Sequence, residues 1–525
     1  MDTAATKGDI PMLELLLSSP LANVNGEWSG DTPLFRAGLR HNYETMKFLL
    51  ERGADPNLAS RGLRSHGCVI VGWTPSDPDS IPLHAVSGFD VGGEHHWGSA
   101  EDARRCCQLL LDAGSNLNAQ GHCYMTPLHL SASKNLTGTN KAKFDSLHGN
   151  KGSLGTIQIL AKHGLKLDEP RGPKRFIPLF SMFKGTRGYG KDLDPLKLAP
   201  YVSDWNVMDE DGNTFLNLMT NVHYASEPGF ISQLMQLGCD PRKKNKDGVE
   251  PLHKLAHFCN SYKADKVEAV GQMLVNAGGD IEAKDAKGCT PLHHIVQSLR
   301  NRNPKDQEPI SKFVRTYGAN VNATDRDGNS TLHMLFEGRP SEIAKDLVVN
   351  LGADPQVTNG AGENLMHVLT RGSLAEDAAI PVQWVQQLAE YGISGTHQDQ
   401  SGNTPLHNLC QTRLSSKAST WPSDEAVDLL LSLDDGLSLE MENNQGLRPI
   451  HTAAANNKLL VAKLLSKGAS TSRTTKNGLN ILHIAASARE GDIDGFMLDH
   501  YQKSGNLGLF LDQPDESGCT PLHAA

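Results

Sequence analysis

The sequence predicts an all-α solenoid, in which short helix pairs stack in a row and β-hairpin fingers join one pair to the next. Three observations predict it. A four-residue anchor returns along nearly the whole chain: "TPLF" at 32, "IPLH" at 81, "EPLH" at 250, "STLH" at 330, "RPIH" at 448, and "TPLH" at 126, 290, 404 and 520. Between anchors recurs an aliphatic run closed by Gly, as in "FLLERGADPN", "LLLDAGSNLN", "FVRTYGANVN" and "LVVNLGADPQ". Aromatic residues make up only 6% of the chain while Gly numbers 50, which suits many small similar units better than one core with bulky anchors.

Each element follows from its residues. Thr126 and Thr290 are placed to cap a helix with the hydroxyl, and Pro127 and Pro291 at the next position lose no hydrogen bond there. Leu128 and Leu292 then face inward. Leu109, Leu110 and Leu111 belong to a second helix that Gly114 ends, because a left-handed closing residue costs Gly little. The segments "DAKGCT", "DRDGNS", "DQSGNT" and "DESGCT" place an Asp-x-x-Gly turn before the next anchor. Two short helices cannot bury their apolar faces alone, so the pairs must stack.

These residues resemble the ankyrin repeat, whose pattern is a β-turn, Thr-Pro-Leu-His, two helices and Gly-Ala-Asp. Thirteen anchors carry the likeness across nearly the whole chain. Spacing sharpens it. Eight positions separate Asn118 from Thr126, Glu282 from Thr290 and Asn322 from Ser330, whereas anchor to closing Gly varies from Arg448–Gly468 to the longer Thr126–Gly164. Extra residues therefore accumulate between the helices of a pair, where closing a longer surface loop costs little. The finger at 58–80 breaks the rule by being longer. Near 177–213 the match is poorest, since Pro195 and Pro200 interrupt the second helix and "LAPYVSDWN" replaces Gly-Ala-Asp. The expected organisation is N-terminal repeats over 1–168, a degenerate repeat and bend over 169–213, and C-terminal repeats over 214–525 with the last one truncated.

Catalysis has little support. Residues 185–192, "GTRGYGKD", fill seven of the eight positions of a phosphate-binding P-loop. Such a loop follows a buried strand and ends in Ser or Thr for magnesium. Here "RFIPLFSMFK" precedes it, reading as a first helix, and Asp192 stands where the hydroxyl should be. The pattern reads as an inter-helix loop, and a nucleotide-binding enzyme is the weaker alternative.

Ten of the 22 His residues hold the fourth anchor position, from His84 and His129 to His483 and His523. The resemblance implies a structural bond from each imidazole to backbone, and one per repeat is too far apart for a shared metal ion. Cys239, Cys289 and Cys519 fall at packing positions of the repeat. No cofactor and no metal is expected.

No apolar stretch long enough to span a membrane occurs, no basic start introduces a secretory segment, and no CxxC pair is present. The expected setting is the cytoplasm, with the nucleus as an alternative, and a net charge of −10 disfavours nucleic acid as a partner.

Recognition is left. The resemblance implies a scaffold or adaptor that binds a protein or extended peptide on a concave face of fingers and first helices, within a larger signalling or ubiquitin-adaptor protein. Three features are candidate contacts: Trp28 on the first finger; Arg61, Arg64, His66 and Trp73 on the long finger; and a basic stripe of Arg242, Lys243, Lys244 and Lys246 followed by Lys284 and Lys287. The stripe calls for an acidic segment in the partner.

Overall fold

The computed structural model describes the chain apart from residues 28–29, 61–78, 89–99, 122–125, 134–150, 171–176, 182–194, 221–227, 258–263, 301–307, 339, 373–381, 412–423, 488–492, 504 and 525. The P-loop-like stretch 185–192 lies outside the described residues. The chain divides into two compact units: Met1–Pro251 with Asp265–Gly279, and Leu252–Ala264 with Asp280–Ala525.

Within the first unit two rows of helices run side by side. First helices Pro33–Leu39, Pro82–Gly88, Pro127–Ser133 and Pro178–Ser181 pack in succession, and second helices Tyr43–Glu51, Ala100–Asp112 and Lys151–Lys162 form the parallel row. Near 177–213, where the match is poorest, the described helical residues are Pro178–Ser181 and Pro195–Leu198, with a 3-10 turn at Ala199–Tyr201. Aromatic rings pack here: Phe180 stacks on Phe215 at 5.9 Å, and buried Trp205 leans on the same ring at 5.9 Å.

The second unit repeats the arrangement more regularly. First helices Pro291–Leu299, Thr331–Glu337, Leu365–Gly372, Pro405–Cys410, Pro449–Asn456 and Ile481–Ser487 pack each on the next. One apolar core runs unbroken from Ala256 to Tyr501. Each pair thus lends its greasy side to its neighbours, as a quasi-linear stack requires.

The anchor histidines tie neighbours together. At Thr290, Ser330 and Thr404 the helix opens with a reciprocal cap in which His293, His333 and His407 accept the N-cap N–H on Nδ1, at 3.1, 3.2 and 3.1 Å. The opposite nitrogen, Nε2, reaches a backbone carbonyl of the following repeat: His253 that of Cys289 at 3.2 Å, His367 that of Asn403 at 2.9 Å, His407 that of Leu447 at 2.9 Å and His483 that of Cys519 at 2.9 Å. Nδ1 accepts and Nε2 donates, so the ring must be neutral. Burial pushes the pKa of His333, His367 and His407 down, and that of His253 and His451 down to about 4.

Two kinds of Gly punctuate the repeat. Gly352, which closes helix Glu342–Leu351, has φ +74 and open space where a Cβ would go, so its role is conformational alone. Gly328, in a finger, has φ +78, and a Cβ there would stand 2.5 Å from the backbone N of Gly360. The finger glycine therefore also makes room for the next finger.

The fingers are short. Among the described residues they carry only isolated bridges, such as Met208 with Thr214 and Thr324 with Ser330. The turn is too short for a ladder and is closed by backbone and Asp side chain together, with Asp285 N–H donating to the Cys289 carbonyl at 3.0 Å. Asp285 Oδ1 accepts from the N–H groups of Lys287 at 2.8 Å and Cys289 at 2.9 Å.

Candidate protein-binding face

Fingertips in the second unit form a chain of backbone hydrogen bonds. Arg326 N–H donates to the Lys287 carbonyl at 2.8 Å, Gly360 to Asp327 at 2.7 Å, Gln400 to Ala361 at 2.9 Å and Asn444 to Ser401 at 3.0 Å. Lys476 to Gln445 at 3.4 Å and Glu516 to Asn477 at 3.1 Å continue it. In the first unit Lys246 N–H donates to Asp211 at 3.0 Å in the same manner. Side chains on the tips are held at a fixed spacing while remaining exposed, the condition for a preorganised binding face.

Asn side chains add a second set of rungs. Asn245 donates to Asn213 at 3.0 Å, Asn359 to Asn329 at 3.0 Å and Asn443 to Asn403 at 2.9 Å. At the helix-closing loops, Asn322 donates to the Gly352 carbonyl at 2.9 Å and accepts from Asp354 N–H at 2.8 Å. Tips and closing loops are thus both stitched from repeat to repeat.

The basic residues read from the sequence fare unequally. Arg242, Lys243, Lys244 and Lys246 are exposed on one finger of the first unit, while Lys284 and Lys287 are exposed in the second. Arg242 is answered by Asp240 at 3.3 Å and Lys244 by buried Glu250 at 3.7 Å. Lys284 donates to the Thr324 carbonyl at 2.8 Å. The finger before the 242–246 group carries Asp209, Glu210 and Asp211, which offsets its charge. Lys243, Lys246 and Lys287 are exposed and present their charge most openly. Trp28, Arg61, Arg64, His66 and Trp73 all lie outside the described residues.

Buried charge serves the stack rather than the face. Arg448 takes the capping position that Thr290, Ser330 and Thr404 hold in other repeats, and it is only 9% exposed. Its guanidinium meets Glu440 and, at 3.2 Å, Glu442, while Glu440 also accepts from Ser470 N–H at 2.7 Å. That cluster joins one repeat to the next. Burial also pushes the thiols of Cys106, Cys239 and Cys289 up to about 12, which keeps them protonated at neutral pH.

The description "Ankyrin repeat" matches residues 29–61, and the same anchor, helix pair and closing Gly recur through both units. The chain is an ankyrin-repeat protein. Mouse NF-kappa-B inhibitor delta is 33% identical over 129 residues, covering 24% of this chain and 36% of the relative. Human transient receptor potential cation channel subfamily A member 1 is 22% identical over 290 residues, covering 47% and 25%. Mouse Rabankyrin-5 is 29% identical over 178 residues, covering 32% and 13%. The matches thus span about a third or less of these curated relatives. Ankyrin repeats serve protein interaction, and that general role extends to this array. Among its described residues no helix is long and apolar enough to cross a membrane.

Proposed function

We propose that the ankyrin array is a scaffold or adaptor that grips another protein, or an extended peptide of it, on the concave face built from fingertips and first helices. The observation that carries the reading is the run of fingertip backbone hydrogen bonds from Lys287 to Glu516, which sets the tips in a row and leaves side chains such as Lys287 and Arg326 exposed. A rigid row of tips lowers the ordering cost of binding. The reading places the array in a larger protein of the cytoplasm or the nucleus, and one relative is by name an inhibitor of another factor. An acidic partner segment is the finer reading, offered Lys243 and Lys246 by the first unit and Lys287 by the second.

The test is affinity capture from native cells, followed by binding of the identified partner to a K243E/K246E/K287E variant. Lys244 is left in place because Glu250 already holds it. The expected result is at least about tenfold weaker binding and a steep salt dependence in the parent. Unchanged affinity would remove the basic fingers from the interface and leave the rest of the face as the candidate.

A further inference from the structure

Resting on that reading of the face, we infer that one stretch of it is a subsite for an uncharged extended peptide segment of the partner. The site is a cleft of about 680 Å³ between the fingertips at 400–401 and 443–445 and helix Pro449–Asn456. Its volume falls in the range of about 300–1,000 Å³ typical of ligand-holding clefts.

The cleft has a sequence origin. Arg448–Gly468 is the shortest anchor-to-Gly span in the chain, so this pair carries no inter-helix insertion. Its first helix, "PIHTAAAN", turns small residues toward the cleft, with Thr452 and Ala455 where Pro291–Leu299 carries His294 and Gln297 and Thr331–Glu337 carries Met334 and Glu337. The fingertips reach over a shallow helix and leave a trough.

Chemistry then selects the occupant. None of the fourteen lining residues is Asp, Glu, Lys or Arg. At the chain's 21% charged content about three would be expected, so the cleft is neutral against its background. His451 does not restore charge, because both ring nitrogens are engaged, Nδ1 by Arg448 N–H at 3.1 Å and Nε2 at the Arg473 carbonyl at 3.2 Å. A charged ligand entering here would lose water and meet no opposite charge.

Gln411 and Gln445 line the cleft, and their side-chain amides are bonded to no other described residue. A primary amide offers donors and an acceptor together, which matches the alternating C=O and N–H of an extended main chain. Leu479 and Ile484 supply an apolar strip for one or two small side chains. No Phe, Tyr or Trp is among the fourteen described lining residues, so they offer no broad platform on which a sugar ring would stack.

Panning the full chain against random dodecapeptides displayed on phage tests the inference. The expected selection is of peptides without charged residues in their shared core. A synthetic peptide of that core should bind with an affinity that changes less than about twofold between 0.05 and 0.5 M salt. Ala455→Trp, which fills the trough from an exposed position, should weaken it at least about tenfold, and Gln411→Ala with Gln445→Ala more mildly. K243E/K246E/K287E should not affect it. Charged or salt-sensitive peptides, binding that survives Ala455→Trp in a variant that melts like the parent, displacement by neutral chitotetraose, or no enrichment at all would each overturn the subsite. The scaffold reading fails separately, if affinity capture returns no partner that the finger face binds.

Discussion

Acidification from pH 6.5 to pH 4 is expected to strip several kcal/mol from the stability of the repeats, with the loss beginning well above the range where carboxylates titrate. The cause lies in the anchor histidines. In the folded chain His253 and His451 hold out against protonation to about pH 4, because burial disfavours the cation. In the unfolded chain they protonate near 6.5. Their folded pKa lies below the unfolded one, so their contribution is intact above pH 6.5 and drains away as pH falls toward 4. Each of the two accounts for a loss of about 3 kcal/mol by pH 4. His333, His367 and His407 shift in the same direction. The protonated ring would also lose the acceptor that Nδ1 offers to the cap N–H. Urea midpoints followed by circular dichroism across this range provide the check, with a His451→Gln variant expected to give a shallower slope. A flat profile down to pH 4.5, with loss only below it, would assign acid sensitivity to carboxylates and remove the histidines from the account.

Truncation of Phe336 is the second large effect. Phe336, in the last turn of first helix Thr331–Glu337, is 2% exposed and meets Trp384 edge to face at 5.5 Å. Trp384 belongs to Val382–Glu390, the second helix of the next repeat. One ring therefore bonds two repeats. Phe336→Ala is expected to cost about 3–5 kcal/mol through lost burial and an unfilled cavity. By contrast Val349, on the outer side of Glu342–Leu351 and 62% exposed, should change stability by less than about 0.5 kcal/mol when made Ala. Denaturant midpoints of the two variants compare them directly. Equal effects would mean that stability does not reside in contacts between repeats.

Much of this architecture was legible in advance because it rests on local chemistry. Thr-Pro caps, Asp-x-x-Gly turns and Gly-closed second helices each announce themselves within a few residues. The contacts between repeats were harder to read, although one rule is visible once the structure is known. Fingers that end Gly-Asn, at 212–213, 328–329 and 402–403, are each followed by a finger that opens with Asn, at 245, 359 and 443. Those are the pairs that join side chain to side chain. Fingers without that Asn, such as 288–289 and 362–363, are followed by Asp325 and Asp399.

The acids beside the 242–246 finger were hidden from a linear reading for a related reason. Its neighbour 209–211 is more than thirty residues away in sequence, and only stacking places three acids beside the lysines. The amide-lined cleft could not be read either, since it arises from what the shortest repeat lacks. Its one signal was the run of small residues in "PIHTAAAN".

The most direct test of the recognition claim is amide hydrogen exchange on the chain with and without its captured partner. Binding should slow exchange further at the fingertips 326–328, 360–362, 400–402 and 444–446 and in first helices Thr331–Glu337 and Pro449–Asn456. Slowing confined to second helices such as Glu342–Leu351 and Lys458–Ser466, with the tips unchanged, would contradict it.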